Sequence, residues 1–136
     1  MSILIVDDDT NLRSFMSDLL TGKGYTVAQA ANGEEALAYL KTANPLPCLI
    51  LLDMMMPTMN GWEFLRARQR NPVFAPIPVV VISAFRALAE SVAVLGVQEE
   101  LAKPIDTKHL VDLVQRYCPG VPTPEPGRAA DVKRAR

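Results

Sequence analysis

Residues 49–57 read Leu-Ile-Leu-Leu-Asp-Met-Met-Met-Pro, and this stretch decides the fold. The four aliphatic residues at 49–52 predict a short strand that is buried on both faces, as in a parallel sheet covered by helices. Asp53 ends that strand, at the edge where open α/β sheets bind their ligands. Because an unpaired buried charge is costly, Asp53 must have a role, as a nucleophile, a metal ligand or a helix N-cap.

The rest of the chain alternates between short aliphatic runs and amphipathic segments. We predict strands at 3–6, 25–28, 49–53, 79–82 and 99–102. Five helices follow these strands: one after Asp9 that ends at Gly22 to Gly24, three over 34–42, 61–70 and 86–95, and a last one capped by Asp106. This alternation predicts an α/β fold of the doubly wound (βα)5, flavodoxin-like type. Its five-stranded parallel sheet has the order 2-1-3-4-5, with helices on both faces.

Length and composition limit the class of protein. The chain has 136 residues, of which 49% are hydrophobic and 21% charged, so we expect one soluble globular domain over residues 1–118. A net charge of -1 gives no indication of nucleic-acid binding. No apolar run is long enough for a membrane span, and a first strand that begins at Ile3 leaves no room for a signal peptide. We therefore expect a cytoplasmic protein.

Residues 119–136 are rich in proline and basic at the end. We expect a disordered tail or linker stub there, too short to fold as an output domain. Cys48 and Cys118 do not have the spacing of a metal site or a redox motif. We expect both to remain thiols and to pack as small, partly buried hydrophobic residues.

Polar residues follow four of the predicted strands. They are Asp7-Asp8-Asp9 after the first strand, Asp53 at the end of the third, Ser83-Ala84 after the fourth and Lys103-Pro104 after the fifth. In the predicted strand order these groups converge at one edge of the sheet. One of the three consecutive acids, Asp9, is expected to cap the first helix.

This set of residues suits phosphoryl chemistry. Clustered carboxylates repel one another and need a cation, and hard oxygen ligands suit Mg²⁺ (or Mn²⁺). A lysine and a serine can hold phosphoryl oxygens, and an aspartate can itself accept a phosphoryl group. Asp53 is the natural acceptor, since it lies between the acids on one side and Ser83 and Lys103 on the other.

With these motifs in this order, the chain is similar to the receiver domains of two-component response regulators. The resemblance covers about residues 2–118. It rests on Asp7-Asp8, on LILLDMMMP around Asp53 with the following Met59-Asn60-Gly61, on Ser83-Ala84 and on Lys103-Pro104. It implies a phosphoprotein in which Asp53 accepts phosphoryl from a phosphohistidine of a sensor histidine kinase or a histidine phosphotransfer protein.

The resemblance also implies roles for the residues around the acceptor. Asp7 and Asp8 would bind the metal together with Asp53 and the backbone carbonyl of Met55. Ser83 and Lys103 would contact the phosphoryl oxygens. The bond between Lys103 and Pro104 is often cis in such domains.

Three positions depart from the family pattern. Met55 and Phe85 are bulky and apolar where relatives often have polar residues that orient a hydrolytic water, so we predict slow loss of the phosphoryl group. Glu100 replaces an aromatic switch residue, and a contact with Lys103 or Arg86 is one hypothesis for its role.

The predicted helix over 86–95 has only two charges, Arg86 and Glu90, and part of its outer face is apolar. We expect it to form, with the fifth strand and the last helix, a surface for a downstream protein or for a second copy of the chain.

The leading hypothesis is thus a stand-alone phosphoacceptor signalling domain, not an enzyme, whose output is a protein contact. One alternative is a phosphohydrolase with an aspartate nucleophile, although such enzymes place a second acid two residues later, where this chain has Met55. The other is a receiver-like scaffold that no longer takes phosphate, against which the intact Asp8, Asp53, Ser83 and Lys103 argue.

Overall fold

A computed structural model describes residues 2–83, 96–97 and 99–119. Within these residues the chain forms one five-stranded parallel sheet of order β2-β1-β3-β4-β5, as predicted. The strands are β1 (Ser2–Val6), β2 (Thr26–Ala30), β3 (Leu49–Asp53), β4 (Val79–Ser83) and β5 (Glu99–Ala102), and the helices are α1 (Thr10–Gly22), α2 (Gly33–Thr42), α3 (Gly61–Gln69) and α4 (Thr107–Tyr117). Phe85, the predicted helix over 86–95 and the tail from residue 120 lie outside the described residues.

The inner strands β1, β3 and β4 carry the core. Every residue of β3 and β4 is buried. Alternate residues of β3 point to opposite faces: Ile50 and Leu52 pack in one hydrophobic cluster with residues of α2 and α3, and Leu49 and Leu51 pack in a second cluster with residues of α1 and α4. The sheet is therefore covered on both faces, which explains why these strands are continuous aliphatic runs.

Side-chain caps fix where each of the four described helices begins, and Asn32 caps α2. Asp9 caps α1 by accepting a hydrogen bond from the Leu12 N–H at 3.1 Å, as predicted. Asn60 and Glu63 form a reciprocal capping box at the start of α3, and Asp106 accepts from the N–H groups of Lys108 and His109 at the start of α4. These caps satisfy N–H groups that the helices themselves leave unpaired.

Some boundaries differ from the sequence prediction. β2 runs over Thr26–Ala30 instead of 25–28, because the Tyr25 N–H still bonds the Leu20 carbonyl (3.1 Å) in the turn that ends α1. Gly24 has φ of 99° in that turn, a conformation that favours glycine. Phe15, which has the helical spacing of the core residues of α1, is 48% exposed.

The prediction that Cys48 and Cys118 remain thiols is wrong. The two residues form a disulfide across a sequence separation of 70, with their Cα atoms 5.8 Å apart. Cys48 precedes β3 and Cys118 follows α4. Because α4 packs on the face of the sheet that α1 also covers, the fold places these two residues side by side. The sequence spacing gave no sign of this pairing, because the fold alone brings these two distant segments together.

No helix in the described parts of the chain combines the length and the apolar character that crossing a membrane requires.

Candidate functional site

Three carboxylates meet at the carboxyl edge of the sheet, where the sequence predicted them. One oxygen each from Asp7, Asp8 and Asp53 lies within 4.8 Å of the others. The register explains this, because Val6 pairs with Leu52, Asp7 and Asp53 each follow that pair by one residue, and Asp8 is next to Asp7. Asp7 and Asp53 are buried and Asp8 is exposed. The cluster is therefore open to solvent on one side only.

Lys103 lies between the two buried acids. Its Nζ atom is 3.7 Å from Asp7 Oδ2 and 3.7 Å from Asp53 Oδ1. The end of β5 is aligned with the end of β4 by a hydrogen bond from the Lys103 N–H to the Ser83 carbonyl (2.9 Å). The peptide bond between Lys103 and Pro104 is cis.

Ser83 is the last of the five side chains predicted to bind the metal or the phosphoryl group. It is buried at the end of β4, one residue beyond Ile82, which pairs with Asp53 in the register. The structure thus brings the ends of β1, β3, β4 and β5 to a single place. All five predicted side chains, Asp7, Asp8, Asp53, Ser83 and Lys103, lie at this edge.

Burial makes the acids hard to ionise. It is the largest cause that raises the pKa of Asp53 to about 6, and the neighbouring charge of Asp7 raises this pKa further. Lys103 and a long hydrogen bond from the Met55 N–H (3.4 Å) oppose the shift. Burial raises the pKa of Asp7 as well, against the Asp9 N–H that bonds Oδ1 at 2.9 Å and against Lys103. Ionisation of these two buried acids is therefore costly, and a bound cation would offset that cost.

The cluster fits a divalent metal. Asp7 Oδ2 is buried and has no hydrogen-bond partner, because the Lys103 ammonium at 3.7 Å is beyond hydrogen-bond distance. A buried carboxylate oxygen without a donor is costly. Three hard oxygen ligands with one exposed side suit Mg²⁺, which keeps several waters and binds through few carboxylates. Asp7, Asp8 and Asp53 would hold the ion.

The loop after β3 is folded tightly against the acceptor strand. The Gly61 N–H bonds the Met54 carbonyl at 3.0 Å. A Cβ atom at Gly61 would lie 2.7 Å from Met54 Cα and 3.1 Å from the Asp53 carbonyl oxygen, so only glycine fits there without a backbone shift. Met54 and Met56 are buried in the core, and Met55 is 58% exposed beside Asp53.

Sequence reasoning missed one contact to the acidic loop. The Arg13 guanidinium donates to the Asp7 carbonyl at 2.6 Å and to Gln29 Oε1 at 3.0 Å. It thereby ties the loop that carries Asp7 and Asp8 to β2. The signal in the sequence was an arginine at the end of the first turn of a helix that follows three acids.

Glu100 does not contact Lys103 in the way that one hypothesis required. Lys103 pairs with the two buried aspartates, and Glu100 Oε2 is buried without a hydrogen-bond partner. The neighbouring Glu99 does have partners. Its Oε2 atom pairs with Arg116 at 2.6 Å and accepts a hydrogen bond from the Tyr117 hydroxyl at 2.8 Å. Arg86, the other proposed partner of Glu100, lies outside the described residues.

A doubly wound sheet with acids and a lysine at its carboxyl edge defines a receiver-type α/β domain. The family model described as the response regulator receiver domain matches residues 3–115. The chain therefore belongs to the receiver domain family of two-component response regulators.

Relatives and solved structures agree with this assignment. The chain is 34% identical over 119 residues to sporulation initiation phosphotransferase F of Bacillus subtilis (strain 168). This match covers 86% of this chain and 93% of that protein. It is 34% identical over 118 residues to the alkaline phosphatase synthesis transcriptional regulatory protein SphR of Synechococcus elongatus, covering 80% of this chain but 45% of that protein. The chemotaxis response regulator CheY4 of Vibrio cholerae superposes with a TM-score of 0.78 at 30% identity, over 85% of this chain and 97% of that one.

Proposed function

We propose that this receiver domain accepts a phosphoryl group on Asp53 and that Asp7 and Asp8 hold a Mg²⁺ ion (or Mn²⁺) beside it. The observation that carries the proposal is the position of Lys103, whose ammonium is 3.7 Å from the buried carboxylates of both Asp7 and Asp53. A partly buried ammonium at that point can pair with a phosphoryl oxygen on Asp53 while it stays beside both carboxylates.

The chemistry is a single displacement. A carboxylate oxygen of Asp53 attacks the phosphorus atom of a phosphohistidine, the bond from phosphorus to the imidazole nitrogen breaks, and the leaving imidazole takes up a proton. Lys103 and the Ser83 hydroxyl contact the phosphoryl oxygens, so that the charge on the transferred group is met by fixed donors. A bound Mg²⁺ supplies further positive charge for these oxygens, and the Met55 carbonyl would be its fourth protein ligand.

Loading with acetyl phosphate and Mg²⁺ tests this assignment. Intact-mass spectrometry should show one phosphoryl group on the wild type and none on Asp53→Asn. Asp18→Asn, which changes an exposed acid on α1 away from the site, should be labelled like the wild type. Labelling of Asp53→Asn at the wild-type rate would place the acceptor elsewhere.

We further propose that the phosphoryl group is lost slowly. Met55 is apolar and lies beside Asp53 with its side chain 58% exposed, so it offers no group to orient an attacking water. Phe85 is predicted to act with it. After acetyl phosphate is removed, wild-type phosphoprotein should decay more slowly than Met55→Asn combined with Phe85→Glu. Faster decay in the wild type would contradict the proposal.

A hydrolase reaction is the competing function. No second acid lies two residues after Asp53, because Met55 occupies that position. We expect no catalytic release of phosphate from small phosphoesters, and turnover that is lost in Asp53→Asn would support the hydrolase instead. A scaffold without phosphorylation would show no acetyl phosphate labelling at all.

The partners follow from the same proposal. A sensor histidine kinase or a phosphotransfer protein would supply the phosphoryl group, and the domain over residues 1–118 would signal from the cytoplasm. The output surface would combine β5, α4 and residues 86–95, and residues 119–136 would form a tail or linker. Light scattering with and without beryllofluoride tests self-association through this surface, and a monomer in both states would exclude a homodimer.

A further inference from the structure

We propose that Cys48 and Cys118 are a reversible redox pair, oxidised and reduced through Cys48, that fastens the end of α4 to the start of β3. This inference does not rest on phosphorylation of Asp53. It concerns the opposite edge of the sheet, since Cys48 precedes β3 and Asp53 ends it.

The structure accommodates the oxidised form. The two Cα atoms are 5.8 Å apart, within the range that disulfides need. Cys118 is fully buried and Cys48 partly buried, and both belong to the hydrophobic cluster between the sheet, α1 and α4.

The same surroundings also suit the reduced form. Cys48 Sγ lies 3.2 Å from the Ser2 carbonyl oxygen, which can accept a hydrogen bond from the thiol. Cys118 would pack as a small hydrophobic residue in its apolar cluster. The last turn of α4 keeps its own bonds in both forms, because the Cys118 N–H donates to the Val114 carbonyl (2.8 Å) and the Tyr25 hydroxyl donates to the Cys118 carbonyl (3.2 Å). Reduction therefore leaves no buried polar group without a partner among these residues.

The difference in burial sets the order of the reaction. A low-molecular-weight disulfide such as oxidised glutathione can reach the partly buried Cys48 but not the fully buried Cys118. The Cys48 thiolate attacks one glutathione sulfur, and the first glutathione thiolate leaves. The Cys118 thiolate then attacks the Cys48 sulfur and releases the second. Two protein thiols are oxidised, one glutathione disulfide is reduced, and the two protons pass to the glutathione thiolates.

Oxidation should act on α4. In the reduced protein the end of this helix is held by packing and hydrogen bonds, whereas in the oxidised protein it is also joined covalently to the residue before a fully buried central strand. Because α4 belongs to the proposed output surface, the redox state would set the local stability of the α4 part of that surface. The acceptor edge should be unaffected.

Thiol trapping and hydrogen exchange test the proposal together. After treatment with oxidised glutathione, the wild type should lose both free thiols and retain no glutathione. Cys118→Ala should retain one glutathione on Cys48, and Cys48→Ser should remain unmodified for much longer. Amide exchange over residues 114–118 should be roughly tenfold slower or more in the oxidised wild type than in the reduced one. Asp53→Asn should behave like the wild type in every one of these measurements.

Two results would overturn the inference. One is a wild type that keeps both thiols, or that keeps bound glutathione, after the treatment. The other is amide exchange over residues 114–118 that is the same in both redox states. Acetyl phosphate labelling of the oxidised and reduced forms distinguishes this failure from failure of the proposed acceptor, since the labelled residue, Asp53, lies at the other end of β3.

Discussion

Replacing Asp53 with asparagine should make the metal-free protein more stable at pH 8. Burial raises the pKa of this carboxyl from 3.8 to about 6, so the native state binds its proton more tightly than the unfolded chain does. A difference of about 2 pKa units corresponds to about 3 kcal/mol of unfolding free energy. Asparagine has nearly the same shape and never ionises, so the variant avoids this cost.

The sign of the pH dependence follows from the raised pKa. Below pH 3.8 the carboxyl is protonated in both states and its ionisation costs nothing. Between that pH and about 6 the unfolded chain ionises while the native state resists, so native stability falls as the pH rises. Above about pH 6 the full cost of ionising the buried Asp53 carboxyl lowers the stability of the native state. Part of it is shared with Asp7, whose pKa is also raised, so we expect a gain of about 1–3 kcal/mol for Asp53→Asn at pH 8.

Urea unfolding in EDTA at pH 4 and at pH 8 measures the effect. The advantage of Asp53→Asn over the wild type should be small at pH 4 and large at pH 8. Asp18→Asn, an exposed acid on α1, should show no such difference. An advantage of Asp53→Asn that is equal at the two pH values, or absent at pH 8, would refute the account of Asp53 as a buried, hard-to-ionise carboxyl.

Magnesium should reverse the order of stability of the wild type and Asp53→Asn. An ion that binds only the native state stabilises it by about 2.7 kcal/mol at a hundredfold excess over its Kd. The wild type keeps all three carboxylates and should gain more than Asp53→Asn at the same Mg²⁺ concentration. Equal gains for the two proteins would show that Asp53 is not a ligand.

Three other substitutions test the contacts around the site. Gly61→Ala should lower the unfolding free energy, measured by urea titration, by about 1–3 kcal/mol, because the added Cβ meets the Met54 backbone. Gly22→Ala is the control and should not lower it, because a Cβ there has no atom within 4 Å. Arg13→Gln should weaken Mn²⁺ binding severalfold in electron paramagnetic resonance titrations because the Asp7 carbonyl loses its tether, and Arg116→Gln on the far edge serves as the control. Asp106→Ala should cost about 1 kcal/mol in thermal unfolding through the lost cap of α4, and an unchanged Tm would contradict that role.

The strands and the acidic site could be predicted because each depends on local sequence. Continuous aliphatic runs at 49–52 and 79–82 identify strands buried on both faces, and the residue types at their ends then meet at one edge in any parallel sheet. The same reasoning fixed the caps at Asp9 and Asp106, since capping needs only residues within the same turn.

What could not be predicted depends on contacts between distant segments. The cysteine pair joins residues separated by 70 positions, and the bond of Arg13 to Gln29 joins α1 to β2. Phe15 has the helical spacing of Leu12 and Leu19, which pack against the core, although its own side chain is 48% exposed. Helical spacing fixes which residues share a face but not how wide the covered stripe is.

The two ends of β3 should contribute independently to stability, with opposite signs. Ionisation of Asp53 at one end costs about 3 kcal/mol without metal, and closing a loop of about 70 residues by the disulfide at the other end stabilises by about 4 kcal/mol in the chain-entropy model. Five residues of strand separate the two sites by roughly 17 Å, so the effects should add within about 0.5 kcal/mol. A double-mutant cycle of Asp53→Asn with Cys48→Ser, unfolded in urea at pH 8, measures this. Strong coupling would instead mean that the redox state reaches the acceptor through the buried strand.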